Sequence, residues 1–141
     1  MKFFLLLSLC FGLATGMAIE SDEETSARKT ALDLAGAFSN DGFKLRDGHW
    51  SGTLEPGKAR LIQVNLFAGN AYWISVGSNG KAKKLALRVY DETGELIPVD
   101  LHEEGHRVAA GFSPRTSGPC YIKVEAIEGA PTAFCLIYSY K

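Results

Sequence analysis

From Gly42 onward, apolar residues recur at every second position in a series of short stretches. Ile62, Val64 and Leu66 alternate with Gln63 and Asn65. Tyr72, Ile74 and Val76 alternate with Trp73 and Ser75. Leu85, Leu87 and Val89 alternate with Ala86 and Arg88. Val108, Ala110 and Phe112 form a further set, as do Cys120, Ile122 and Val124, and the chain closes with Phe134, Leu136, Tyr138 and Tyr140. A period of two is that of a strand with one buried face, because successive side chains of a strand point to opposite sides. Turn signals separate the stretches: Glu55-Pro56-Gly57, Ala68-Gly69-Asn70, Ser78-Asn79-Gly80, Asp91-Glu92-Thr93-Gly94, Glu104-Gly105, Ser117-Gly118-Pro119 and Glu128-Gly129-Ala130-Pro131. Short strands with turns every 8–12 residues or so predict an antiparallel sandwich or barrel. One buried face per strand favours two sheets packed together.

Before Gly42 the period is helical. Ala27, Ala31, Leu34, Ala35 and Phe38 fall on one stripe, while Arg28, Lys29 and Asp33 fall off it. Ser21 or Asp22 caps the start, Asp22, Glu23 and Glu24 suit the positive end of the helix dipole, and Asn40-Asp41-Gly42 stops it. The expectation is an amphipathic helix over residues 21–40, lying on a surface with one face down.

The first residues have the layout of a secretory leader. Lys2 precedes an apolar run, Phe3 to Leu13, and small residues follow, with Gly16 and Ala18 spaced for cleavage. The run is shorter than the roughly 20 residues a membrane span needs. The expected division is a leader at 1–18, a helix and linker at 19–46, and a β-sandwich domain at 47–141. The protein is then exported, to the periplasm or the exterior. It has no membrane span after leader cleavage, and a monomer is expected.

Charge is nearly balanced, with 15 Lys and Arg against 16 Asp and Glu. That excludes a nucleic-acid binder working by bulk electrostatics and an acidic disordered tail. Three cysteines are too few for a disulfide scaffold.

Several segments carry a family resemblance. His49-Trp50-Ser51-Gly52-Thr53-Leu54-Glu55-Pro56-Gly57 resembles the "G-x-L-x-x-G" opening of the bacterial pre-peptidase C-terminal (PPC) domains. Gln63-Val64-Asn65-Leu66-Phe67-Ala68-Gly69 is similar to their next strand and turn. Leu85 to Gly94 resembles their "l-x-l-x-v-y-d-x-x-G" hairpin. Phe112-Ser113-Pro114 and Ser117 to Val124 resemble the last strands, "G-x-Y-x-i-x-V". The likeness covers about residues 47–140. Cys120 stands where the family usually has an aromatic residue, and the N-terminal helix is extra. The resemblance implies a jelly-roll-like β-sandwich without catalytic residues, of a kind that assists folding, targeting or substrate binding. The implied partner is a secreted or envelope protein or a glycan.

Other patterns bear on chemistry. His102-Glu103-Glu104-Gly105-His106 spells H-E-x-x-H, the signature of zinc hydrolases. That chemistry needs a helix, since i, i+4 spacing on a helix brings both imidazoles to one metal. Pro98, Gly105 and the flanking alternation argue instead for a hairpin tip, which leaves a metal-dependent hydrolase using His102 and His106 as a rival reading. Asp91, Glu92, Glu95 and Asp100 form an acidic cluster of the kind calcium prefers, without the spacing of a calcium loop. Lys81, Lys83 and Lys84 read as a solubilising hairpin tip. Matching the apolar faces of a final hairpin pairs Cys120 with Leu136 and Cys135 with Tyr121, so strand parity argues against a Cys120–Cys135 disulfide. Trp73 and Tyr121 fall on the non-core face of their strands. Either they form a stacking platform for a sugar ring, whose apolar body and polar rim suit aromatic side chains, or the helix covers them through Leu34 and Phe38. No nucleophile elbow, P-loop or dinucleotide fingerprint is present. The reading is a non-catalytic binding or accessory module.

Overall fold

Each alternating stretch is a strand. The computed structural model describes residues 21–141, and the expected leader at 1–18 lies outside them. Among the described residues the chain forms helix α1 (Asp22–Ser39) and then strands β1 (Lys44–Leu45), β2 (Trp50–Leu54), β3 (Arg60–Leu66), β4 (Tyr72–Ser78), β5 (Ala82–Tyr90), β6 (Asp100–Glu104), β7 (Arg107–Phe112), β8 (Gly118–Gly129) and β9 (Thr132–Tyr140). The larger sheet has the order β1-β9-β4-β7-β6, with β2 also paired to β9, and the smaller has the order β3-β8-β5. All pairings are antiparallel. The chain crosses between the sheets at nearly every connection, giving the mainly β, jelly-roll-like sandwich with one N-terminal helix that the sequence predicts.

The core lies between the sheets. Leu54, Ile74, Leu85, Ile122, Phe134 and Leu136 are each at most 1% exposed, and they come from both inner faces. Trp50, on β2, which carries no alternating apolar set, packs against this cluster.

The helix ends where its caps place it. Ser21 Oγ accepts a hydrogen bond from the Glu24 N–H at 3.1 Å, satisfying one of the orphan donors of the first turn. Ala27, Ala31, Leu34 and Ala35 are the buried face. They lie on the outer face of the larger sheet, where Ala27, Ala31 and Ala35 pack with Ala133, Cys135 and Ile137 of β9.

That close fit has a cause in two glycines. A Cβ added at Gly77 would lie 2.4 Å from the Ala31 backbone nitrogen, and one added at Gly111 would lie 2.7 Å from the Trp73 ring. A stripe of alanines meeting a sheet face of Gly, Ala and Ser lets the helix backbone approach the sheet directly.

The expected final hairpin does not form. β8 pairs with β3 and β5, while β9 pairs with β2 and β4 in the other sheet. Cys120 stands opposite Val64, and Cys135 stands opposite Ser51 and Gly77. No disulfide joins the two cysteines. The physical reason is that β9 is covered on both faces, by the core on one side and α1 on the other, and Thr132 to Ser139 are all buried. Parity then selects a face of the strand but not the sheet to which it belongs.

Candidate functional site

Trp73 and Tyr121 are not brought together. Trp73 lies on the helix side of the larger sheet, and Phe38 stacks on it with ring centroids 4.1 Å apart and planes 8° from parallel. One face of its indole is therefore occupied by α1, and its edge lies over Gly111. Tyr121 lies on the opposite side of the molecule, on the outer face of the smaller sheet.

On that face Tyr121 has company. β5 and β8 place Tyr90 directly opposite Tyr121, and β3 and β8 place Gln63 opposite Tyr121 and Leu61 opposite Lys123. Both tyrosines are half-buried, and Leu61 is 63% exposed. With Glu92, Thr93 and Gly94 these three side chains line a shallow groove of about 390 Å³. Among the described residues, no helix covers this face. Tyr90 and Leu61 were missed as site residues, although their signal was present. Tyr90 shares the outward parity of Ala86 and Arg88, and Leu61 precedes the inward set at Ile62.

The turn after Tyr90 forms one wall of the groove, and it is tightly held. Asp91 Oδ1 accepts from the Thr93 N–H at 2.8 Å, the Thr93 hydroxyl at 2.6 Å and the Glu95 N–H at 3.0 Å. The Asp91 N–H bonds the Glu95 carbonyl, and Gly94 takes φ of 85°, a backbone state that glycine adopts without strain. The Thr93 hydroxyl, the largest influence, holds the Asp91 carboxyl below its ordinary value of 3.8; desolvation, next in size, opposes it, and the backbone N–H groups of Glu95, Thr93 and Gly94 add to the lowering.

On the other side of the turn lies a cleft of about 500 Å³. Asp91, Glu92, Glu95, Pro98, Arg115 and Cys120 contribute to its lining. Glu92 lines both cleft and groove, so the turn is a ridge between an aromatic shelf and a cleft with both charged and apolar walls. Burial, reinforced by the charges of Asp91 and Glu92, pushes the Cys120 thiol above its ordinary value. It is a protonated wall of the cleft at neutral pH rather than a nucleophile.

The acidic cluster is divided by the fold. Asp100 lines a different depression, beside Phe43 and Trp73, and one Asp91 oxygen is committed to the turn. Among the described residues, no three His, Cys, Asp or Glu side chains converge to hold a metal ion. The H-E-x-x-H segment is a hairpin. His102 lies on β6, opposite Ala109, and His106 lies in the turn before β7. His102 Nε2 is 3.6 Å from Glu104 Oε2, whose carboxylate also pairs with Arg107. The His106 carbonyl accepts from the Ser78 N–H and hydroxyl. The helical spacing that zinc chemistry requires is absent here.

No family model matches the chain, and no curated protein matches it. A solved structure similar to it is a de novo designed double-stranded β-helix determined by solution NMR. It is 16% identical, with a TM-score of 0.38, over 64% of this chain and 97% of that one. No helix among the described residues is long and apolar enough to cross a membrane.

Proposed function

We propose that the chain is an exported, non-catalytic binding module of the PPC-like type, and that the ridge formed by Asp91 to Glu95 marks its ligand site. The observation that carries this reading is the cross-strand pair Tyr90 and Tyr121, beside exposed Leu61, on a face that no helix among the described residues covers. Amphipathic rings in a shallow groove suit the apolar face of a sugar ring. Across the ridge, Glu92, Glu95 and Arg115 offer hydrogen-bond partners for hydroxyl groups. The ligand class this combination favours is a glycan.

Affinity electrophoresis through gels containing soluble polysaccharides tests it. At least one polysaccharide retards the wild-type protein. Tyr121→Ala and Tyr90→Ala each lose about 0.5–1.5 kcal/mol of that binding, the usual worth of a stacked aromatic. Trp73→Phe leaves it unchanged. No retardation by any polysaccharide, or retardation that survives both tyrosine substitutions, overturns the glycan assignment.

A further inference from the structure

A second groove, of about 360 Å³, lies along the open side of the sandwich, where edge strand β5 of the smaller sheet faces edge strand β6 of the larger. It gathers Leu96, Leu101 and Ile127, which are 59%, 51% and 38% exposed. These are three of the eight large hydrophobic side chains exposed among the described residues. Such clustering is unusual on a surface that meets only water. The walls differ in charge. Lys84 and Arg88 rise from β5, and Glu103 rises from β6 on the same side as Leu101.

Both strands also end their sheets. All five residues of β6 are exposed, and among the described residues no strand pairs with its outer edge. The end of β5 is closed by its own chain, since Tyr90 bridges Leu96 and the Ile97 N–H bonds the Val89 carbonyl at 2.8 Å. Among the described residues, no strand pairs with the edge from Ala82 to Arg88. Open edges invite a strand from another chain.

We propose that this groove is the interface of a two-fold dimer, with β5 of each copy facing β6 of the other. The charge pattern selects a second copy as the occupant. A two-fold rotation exchanges the walls, so each basic wall meets an acidic one, twice, with the apolar side chains enclosed between them. An unrelated strand of one charge would be attracted by one wall and repelled by the other. Lys84 and Arg88 share the outward parity of Tyr90, so the interface borders the face that bears Tyr90 and Tyr121, while no residue lines both grooves.

Sedimentation velocity on the full chain tests the proposal. The expected result is a dimer mass at roughly 10 μM and above. Leu101→Glu weakens the association about tenfold or more, and its circular dichroism and thermal midpoint stay those of the wild type, because Leu101 is exposed within one copy. Lys84→Glu weakens it by a similar factor, and adding Glu103→Lys to that variant restores it. A wild type that is monomeric at these concentrations, or a dimer that survives Leu101→Glu, overturns the proposal.

Discussion

Asp91 holds its turn by accepting three hydrogen bonds on one oxygen, and that sets how the turn answers pH. Its folded pKa is depressed, so the contribution to stability is complete above the ordinary carboxyl value of 3.8 and is lost as pH falls through the lower folded value. Thr93→Val removes the largest cause. Carboxyl NMR titration should then show the Asp91 pKa rising toward 3.8, with the wild-type Gly94 amide resonance retained down to lower pH than in the variant. A different residue shows the opposite economy. Ser75 is fully buried under α1, and its hydroxyl has no hydrogen-bond partner among the described residues. An unsatisfied buried hydroxyl costs about 1–3 kcal/mol. Ser75→Ala should therefore raise the thermal midpoint, and a fall would show that the hydroxyl does have a partner.

At the scale of elements, the molecule depends on how closely α1 approaches the larger sheet. Gly77→Ala puts a methyl group against the helix backbone, which cannot swing aside as a side chain could. The expected cost is about 1–3 kcal/mol of overpacking. Lifting the helix also separates Phe38 from Trp73, so the variant's tryptophan emission should shift to the red. A blue or unchanged emission would contradict the stacking. Loss of the cap in Ser21→Ala should cost about 1 kcal/mol by chemical denaturation, with no change in the Tyr121 face. The Glu23–Lys81 ion pair ties the first turn of α1 to the residue before β5, but both side chains are about half exposed, and such a pair contributes little.

At the scale of the whole molecule, three layers divide the labour. The larger sheet is sandwiched between the core and α1, and the smaller sheet has one face for the core and one for solvent. Phe134 anchors this arrangement, 1% exposed at the centre of the core, and Phe134→Ala should cost about 3–5 kcal/mol in a denaturant melt. Much of this plan is legible in the residues. The period-two sets at Ile62, Tyr72, Leu85, Val108 and Cys120 all lie on inner faces, and the Ala27 to Phe38 stripe is the helix face that is covered. β1, β2 and β6 carry no period-two apolar set, since β1 has two residues, β2 buries only Leu54 and every residue of β6 is exposed. The site was half legible. Tyr121 was picked out by its outward parity, whereas Tyr90 and Leu61 needed the register to become its neighbours.

Local order is what the amino-acid sequence alone determined here: which residues form strands, which faces are apolar, where turns and caps fall, and that one helix precedes the strands. These follow from side-chain periodicity and backbone preference, which act over a few residues. Only the tertiary structure decided which sheet each strand joins, that Phe38 covers Trp73, and that Tyr90 meets Tyr121. Those outcomes depend on pairings between residues far apart in the chain. β9 shows why they are not readable in advance. A strand buried on both faces satisfies either sheet by its pattern, and the choice rests on the small outer face that lets α1 come down on Gly77.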